Sequence, residues 1–149
     1  MTKVISEKEQ AELLHVEIRL VADESPDLSY LDQYSNAQTK QEREYYRRGQ
    51  ERKAEYGQTW EMIGIIAVGT VFDPHPEESR EIQSAGLWGI ESDSGSEYLL
   101  SVAEEELADL MEIVRESGCA IPENIEAMKQ RALFSFKKKA QNLPVSDWY

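Results

Sequence analysis

The side chains that most often perform catalysis or bind metal ions are scarce in this chain. Histidine occurs twice, as His15 and His75, and the one cysteine is Cys119. Zinc sites combine several histidines and cysteines, and a reactive cysteine needs a neighbouring group that stabilises its thiolate. His15 falls on the polar side of a predicted strand, His75 stands between two prolines, and Cys119 follows a glycine. We therefore expect structural roles for all three residues, no cofactor, no metal and no catalytic site.

The segment GLWGIESDSGSEYLL, residues 86–100, concentrates glycine, serine and acidic residues as a calcium loop does. Such a loop needs oxygen ligands at alternating positions, a glycine at the sixth position and an acid at the twelfth. Counted from Glu91, Gly95 stands fifth and Val102 stands twelfth. The segment therefore does not fit a calcium site.

The same segment leads into a predicted helix. Ser94 and Glu97 have the spacing of a capping box, and Gly118 suits the C-terminal end of a helix that reaches Ser117. Before the helix, the residues expected to bend and cap the junction are Gly86, Trp88, Gly89 and Asp93. The junction is predicted to fix the direction in which the helix points.

One side of this helix is predicted to be a stripe of carboxylates. Its members are Glu105, Asp109, Glu112 and Glu116. Acids three or four residues apart recur every ~5–6 Å along a helix, which is comparable with the spacing of phosphates along a DNA strand. The stripe therefore predicts a surface that competes for a basic groove. The alternative is that it only keeps an amphipathic helix solvated.

A second candidate surface lies in residues 37–56, AQTKQEREYYRRGQERKAEY. Helix-forming residues dominate, but nearly every position is polar or tyrosine, and Gly49 interrupts the run. A helix that is polar all round has no face for a core, so it is either a solvated arm, a bridge between elements or a contact surface. Tyrosine and arginine are enriched at binding hot spots, and its concentrated patch is Tyr45, Tyr46, Arg47 and Arg48.

Composition and charge restrict the class of protein. The chain has 149 residues, 40% of them hydrophobic, and a formal net charge of −13, which indicates one folded domain over residues 1–149. Residues 57–127 contain 16 acids and two bases. A field of this sign repels nucleic acid and membranes and attracts basic protein surfaces. The single cysteine and the absence of an apolar signal segment predict a cytoplasmic protein.

Hydrophobic periodicity predicts an α+β fold. In ELLHVEIRLVAD, residues 12–23, apolar residues alternate from Leu14 to Leu20, which is typical of a strand with one polar face. Residues 60–72 are apolar on both sides, as in a central strand, and residues 80–91 predict a third strand interrupted near residues 84–86. We expect a small antiparallel sheet of about three strands.

The long C-terminal helices are predicted to pack on this sheet. After the acidic helix, a last helix is expected from near Pro122 to Lys139, because proline suits a first turn and lysine suits a last turn. Residues 37–56 form a polar helical segment, and residues 141–149 form a tail in which Trp148 is expected to dock.

Three stretches carry a resemblance to a known group of proteins. They are PDLSYLDQY at residues 26–34, W-x-M-I-G-I-x-A at residues 60–67 and GLWGIESDSGSEYL at residues 86–99. They resemble small acidic proteins encoded by phages, plasmids and integrative elements of bacteria, a group with no established activity. That origin implies an antagonist of host defence, such as an anti-CRISPR or anti-restriction protein. Many such proteins are small, acidic and non-catalytic, and occupy a nucleic-acid-binding surface.

These observations predict a non-catalytic acidic protein that acts as a DNA mimic. Its expected partner is a basic surface of a host protein or ribonucleoprotein complex, with no direct binding of nucleic acid or membrane. One alternative is a nucleic-acid-binding accessory protein that uses the basic and tyrosine-rich residues 40–53. Another is a small enzyme with an unrecognised site near His75 or Cys119. The tyrosine and arginine patch and the aromatic tail also allow a homodimer.

Overall fold

The structure, a computed structural model, describes residues 10–144 and contains four strands and three α-helices. The strands are β1 (Glu12–Ala22), β2 (Met62–Asp73), β3 (Glu78–Gln83) and β4 (Leu87–Glu91). The helices are α1 (Lys40–Ala54), α2 (Ser96–Glu116) and α3 (Ile125–Gln141), and a short 3-10 turn, Ser29–Asp32, precedes α1. The α+β class and the antiparallel sheet are confirmed. The predicted docking of Trp148 lies outside the described residues.

β2 is the central strand, as its apolar residues on both sides predicted. β1 pairs antiparallel with one side of β2 along almost its whole length. On the other side, β3 pairs with residues 68–73 and β4 pairs with residues 62–65. The predicted third strand is therefore divided into two short strands that follow one another along β2, with the break at the predicted place.

The alternation predicted for β1 holds from Val16 onward but is wrong at Leu14. The register with β2 shifts between Leu13 and His15, which marks a β-bulge. A bulge adds one residue and so exchanges the two faces of the strand. Leu13 is consequently buried in the core, whereas Leu14 is 46% exposed.

The main core lies between one face of the sheet and the two C-terminal helices. α2 packs over β2, and α3 packs over β1 and against α2. Side chains that are almost completely buried there include Ile63, Ile65, Leu107, Leu110 and Phe136. Each such side chain contributes about 1.5–3 kcal/mol when it leaves water, so the apolar side of α2 is held firmly against the sheet. Among the described helices, none combines the length and apolar character needed to cross a lipid bilayer.

A second, smaller apolar cluster lies between the 3-10 turn and the start of β2. Leu31, Trp60 and Met62 are buried in it. Gly49 does not break α1 although it interrupts the run of helix-forming residues. It lets the helix approach the 3-10 turn, because a Cβ atom at this position would lie 2.4 Å from the backbone oxygen of Leu31. The segment 37–56 is thus a helix that bridges elements.

Replacing Gly49 with alanine is expected to lower the free energy of unfolding by up to about 2 kcal/mol. Alanine favours a helix by about 1 kcal/mol relative to glycine, but the contact with the Leu31 backbone forces α1 away from the turn, and overpacking costs about 1–3 kcal/mol. Urea unfolding followed by circular dichroism measures the change. The exposed Gln41→Ala variant of the same helix is the control, with an expected change within about 0.5 kcal/mol. A stabilised Gly49→Ala protein would contradict the close approach.

Candidate functional site

The four predicted carboxylates of α2 lie together on its exposed side, and we call them the acidic face. Glu105, Asp109, Glu112 and Glu116 are all exposed. At 100° and about 1.5 Å per residue, they occupy an arc of about 60° and a length of about 16 Å. Within residues 10–144, none of them forms an ion pair or a hydrogen bond through its side chain. Their charges are therefore available to a partner.

Further charges flank the acidic face. Glu97 and Glu104 are exposed along one side of it, and Arg115, the single base of α2, lies on the same flank. Helical geometry places these three residues about 90–110° from the centre of the face. The face thus presents carboxylates alone along its axis, with one positive charge near its C-terminal end.

A buried ion pair joins α1 to the residues that precede α2. The guanidinium group of Arg52 donates to both carboxylate oxygens of Asp93, at 2.5 and 2.7 Å, and to the carboxylate of Glu91. Arg52 is 5% exposed and Asp93 is 3% exposed. Burial opposes the charge of the guanidinium group, but its hydrogen bonds with Asp93 and Glu91 outweigh this, and the pKa of Arg52 is raised above its usual value.

Trp60 completes this cluster. Its ring lies 3.8 Å from the guanidinium carbon of Arg52, measured to the ring centroid, in a cation–π arrangement. Its Nε1 donates to the backbone oxygen of Arg52 at 2.8 Å. Arg52 therefore ties the small apolar cluster to the start of α2, which agrees with the structural role predicted for Asp93. The accessory-protein alternative includes Arg52 among the bases of residues 40–53 that could meet nucleic acid, and its burial removes it from that set.

The capping box predicted for α2 is also wrong. The helix begins at Ser96, and its N-cap residue is Gly95, with φ 98° and no side-chain cap. The Ser94 hydroxyl group instead donates to the backbone oxygen of Glu91 at 2.5 Å. Ser94 precedes the N-cap position by one residue. Its side chain is used instead in the turn over residues 91–94. The segment is still a junction between a strand and a helix.

Trp88 and Ile90 stand two residues apart in β4 but do not share a face of the sheet, although strand alternation predicts that they would. Ile90 is buried in the core, whereas Trp88 is 46% exposed. Its ring covers Gly64, where an added Cβ atom would lie 2.4 Å from a ring carbon. The register between β2 and β4 shifts between Ile63 and Ile65, and Gly89 has φ 70°, so simple alternation does not hold in β4.

The tyrosine and arginine patch of α1 is only partly available as a contact surface. Tyr45 is exposed and meets Tyr34 edge-to-face, with ring centroids 5.7 Å apart. Arg47 forms ion pairs with Glu44 and Glu51. The hydrogen bond with Glu44 raises the pKa of Arg47 and lowers that of Glu44.

The remaining members of the patch and the neighbouring Lys53 differ in exposure and in ion pairing. Tyr46 is half-buried and Arg48 is exposed, while Lys53 forms an ion pair with Asp32 at 3.1 Å. With Arg47 paired and Arg52 buried, half of the six bases in residues 40–53 are already neutralised by acids of the same chain. The segment is therefore not a continuous basic surface.

The two histidines lie at the surface, whereas the cysteine lies in the core. His15 and His75 are exposed, and Cys119 is buried, with its Sγ 3.1 Å from the Ser117 hydroxyl oxygen. Across residues 10–144 there is no group of three or more histidine, cysteine, aspartate or glutamate side chains arranged to hold a metal ion. The guanidinium group of Arg80, which also forms an ion pair with Asp73, interacts with the Cys119 side chain.

One acid of α2, Glu106, faces inward and does not share the exposed position of the acidic face. Glu106 is 7% exposed and accepts a hydrogen bond from the Ser84 hydroxyl group at 3.0 Å. The Ser84 oxygen also accepts one from the Ala67 N–H at 2.9 Å. Helical spacing could have revealed this position, because Glu106 shares the apolar side of α2 with Leu99 and Leu110.

Replacing Ser84 with alanine is expected to lower the free energy of unfolding by about 1–3 kcal/mol. The change leaves the Ala67 N–H and the Glu106 carboxylate without this partner in a buried place, and an unsatisfied buried group costs about that much. Thermal and urea unfolding measure the loss, and Ser101→Ala on the exposed side of α2 is the control. Partial restoration of stability in the double variant Ser84→Ala/Glu106→Gln, which replaces the stranded buried carboxylate with a neutral amide, would support the assignment. An unchanged single variant would refute it.

Comparison with known proteins yields no relative for this chain. No protein-family model, no curated protein and no solved structure matches it significantly. The resemblance to small acidic proteins of mobile elements thus stays a prediction from three stretches of sequence.

Proposed function

We propose that the protein is a non-catalytic binding protein that covers a basic, nucleic-acid-binding surface of a host protein or ribonucleoprotein complex. The observation that carries this proposal is the acidic face of α2. Four exposed carboxylates follow one another along a single helix, and none is engaged elsewhere in the described chain. A basic surface is the partner whose charge complements such a face.

Rigidity makes the acidic face a competitor for nucleic acid. The apolar side of α2 is buried in the core, and Arg52 holds the residues before the helix. The backbone that spaces the carboxylates at ~5–6 Å is therefore already ordered before binding, and only the side chains lose freedom. A groove that normally holds phosphates has lysine and arginine side chains at a similar spacing, so the face replaces one row of phosphates.

Net charge supports the same mechanism at longer range. The formal charge of −13 attracts a positively charged surface and raises the rate of encounter, an effect that salt weakens. The same charge disfavours direct binding to DNA, RNA or anionic membranes. The protein thus approaches the complexes that bind nucleic acid, and not the nucleic acid itself.

The sequence resemblance indicates which class of host complex is the partner. Proteins of phages, plasmids and integrative elements meet bacterial defence systems that hold DNA or RNA in basic channels, including CRISPR and restriction complexes. We therefore propose an anti-CRISPR or anti-restriction role of the DNA-mimic type, exerted in the bacterial cytoplasm. The acidic face of α2 would occupy the channel and exclude the nucleic acid.

Capture from a bacterial lysate tests this function. The tagged full-length protein is immobilised, and bound proteins are released first by a 20-base-pair DNA duplex and then by high salt. We expect the duplex to release nucleic-acid-binding proteins, identified by mass spectrometry, because the duplex and the acidic face compete for one surface. A captured partner that keeps its nucleic acid, and is not displaced by the duplex, would contradict the proposal.

Direct binding to DNA should be absent at physiological salt. In fluorescence anisotropy with labelled double-stranded and single-stranded DNA at 150 mM salt, we expect no binding at micromolar protein, because Arg47, Arg52 and Lys53 are paired with acids. Binding that weakens steeply with salt would favour the accessory-protein alternative based on residues 40–53.

A further inference from the structure

The outer side of β1 carries a row of backbone groups that no described residue uses. The Asp23 N–H donates to the Met62 oxygen at 3.0 Å, and in an antiparallel pair the direction of the backbone groups alternates with each residue. The N–H and C=O groups of Val16, Ile18 and Leu20 consequently point away from β2. In the described part of the chain, no hydrogen bond is made to them. Such an edge is a template for a further strand.

This edge already pairs with another segment at its start. The Leu13 N–H donates to the Ala120 oxygen at 3.0 Å, and the Ala120 N–H donates to the Ala11 oxygen at 2.7 Å. Pro122, which has no N–H, then leads the chain away. The edge of β1 is therefore able to pair with backbone, and it is open only beyond the bulge at Leu14.

α3 covers the open part of the edge from above. Packed helices lie ~8–10 Å apart, whereas neighbouring strands lie ~4.8 Å apart. Because α2 lies over β2, the neighbouring helix α3 extends about one strand width beyond β1. A groove of about 250 Å³ lies at this place. It is lined by residues 14–18 of β1 and by Met128, Arg131, Ala132, Ser135 and Lys139 of α3. Consecutive residues of β1 line it because the groove opens on the strand's edge.

We propose that this groove accepts one extended, acidic segment of a partner protein, which adds to the sheet beside β1. Arg131 and Lys139 are exposed at its rim, and in residues 10–144 neither forms an ion pair. The acid of the groove, Glu17, is bound by Arg19, with 2.8 Å between Nε and Oε1. Carboxylates of the added strand would meet Arg131 and Lys139, while its backbone groups pair with β1.

A second copy of this chain does not fit the groove. If two β1 strands paired across a two-fold axis, their α3 helices would come within about 5 Å of each other, whereas packed helices need ~8–10 Å. Arg131 and Lys139 of the two copies would also face one another with like charge. A single strand without its own covering helix avoids both conflicts. The site is separate from the acidic face of α2 and selects the opposite charge.

Fluorescence anisotropy of a labelled nine-residue peptide tests this proposal. The probe alternates valine and aspartate, and it is compared with a valine–lysine peptide and with the acidic peptide N-methylated at alternate amides. We expect the acidic peptide to bind the full-length protein at least 10-fold more tightly than either control, because only it offers both carboxylates and free N–H groups. The Lys139→Glu variant should lose at least 10-fold in affinity. Lys137→Glu, on the other flank of α3, should lose none.

Four results would overturn the proposal. Equal binding of the N-methylated peptide would exclude strand addition, and equal binding of the basic peptide would exclude the charge selection. A dimer in sedimentation velocity that Lys139→Glu alters would show that a second copy occupies the groove. Tighter binding of the acidic peptide by Trp148→Ala would show that this chain's own C-terminal residues hold it.

Discussion

Neutralising the acidic face with Glu105→Gln, Asp109→Asn, Glu112→Gln and Glu116→Gln is expected to weaken binding to the captured complex about 100-fold. Exposed ion pairs contribute ~0.2–1 kcal/mol each, so four of them supply about 1–4 kcal/mol. A 100-fold change corresponds to ~2.8 kcal/mol, at 1.4 kcal/mol for each tenfold, and lies within that range. The side chains are exposed, so stability should change little. Affinity is measured by surface plasmon resonance at two salt concentrations.

A matched control variant separates the effect of the acidic face on affinity from the effect of the overall net charge. Glu24, Glu61, Glu78 and Glu123 are also exposed, and within residues 10–144 they form no ion pairs. Replacing them with glutamine changes the net charge by the same amount, so long-range attraction falls equally in the two variants. We expect this control to lose less than tenfold in affinity. If both variants lose the same affinity, charge alone explains binding and the arrangement on α2 has no special role.

Replacing Arg52 with methionine should lower the free energy of unfolding by about 3–5 kcal/mol. Methionine fills similar space but leaves the buried carboxylate of Asp93 and the partly buried one of Glu91 without their cation, and breaking a buried pair on one side costs about this much. The cation–π contact with Trp60 is lost as well. Guanidinium chloride unfolding, followed by tryptophan fluorescence, measures the change.

Two variants locate the cause of that loss. Arg47→Met removes an arginine whose ion pairs are exposed, so we expect a loss below about 1 kcal/mol. Adding Asp93→Asn to Arg52→Met removes one of the stranded charges, so the double variant should be more stable than Arg52→Met alone. If Arg52→Met and Arg47→Met are equally stable, the buried cluster contributes no more than a surface pair.

Much of the fold was predictable because periodicity reports burial within a single element. The apolar residues on both sides of β2 indicated a central strand, and the helical spacing of α2 indicated one apolar and one acidic side. The exposed positions of Glu105, Asp109, Glu112 and Glu116 follow from that spacing alone. For the same reason, the inward position of Glu106 could have been read from the sequence.

Features that depend on distant residues were not predictable from one chain. Arg52 and Asp93 belong to different elements and look like ordinary surface residues in their local sequence. The close approach at Gly49 depends on the backbone of Leu31, which precedes α1 by a turn and a loop. The bulge at Leu14 exchanges the two faces of β1. The apolar residues alternate regularly in the sequence, and this alternation gives no sign of the bulge.

The central place of β2 also has a consequence for biosynthesis. β1 ends at Ala22 and β2 ends at Asp73, and every strand pair of the described sheet includes β2. At roughly 5–20 residues per second, a ribosome needs about 3–10 s between these points. During that interval the nascent β1 exposes Val16, Ile18 and Leu20 without a neighbour, which makes it a segment for chaperones to shield. The sheet can assemble only once β2 emerges, and its apolar face is covered only when α3 follows.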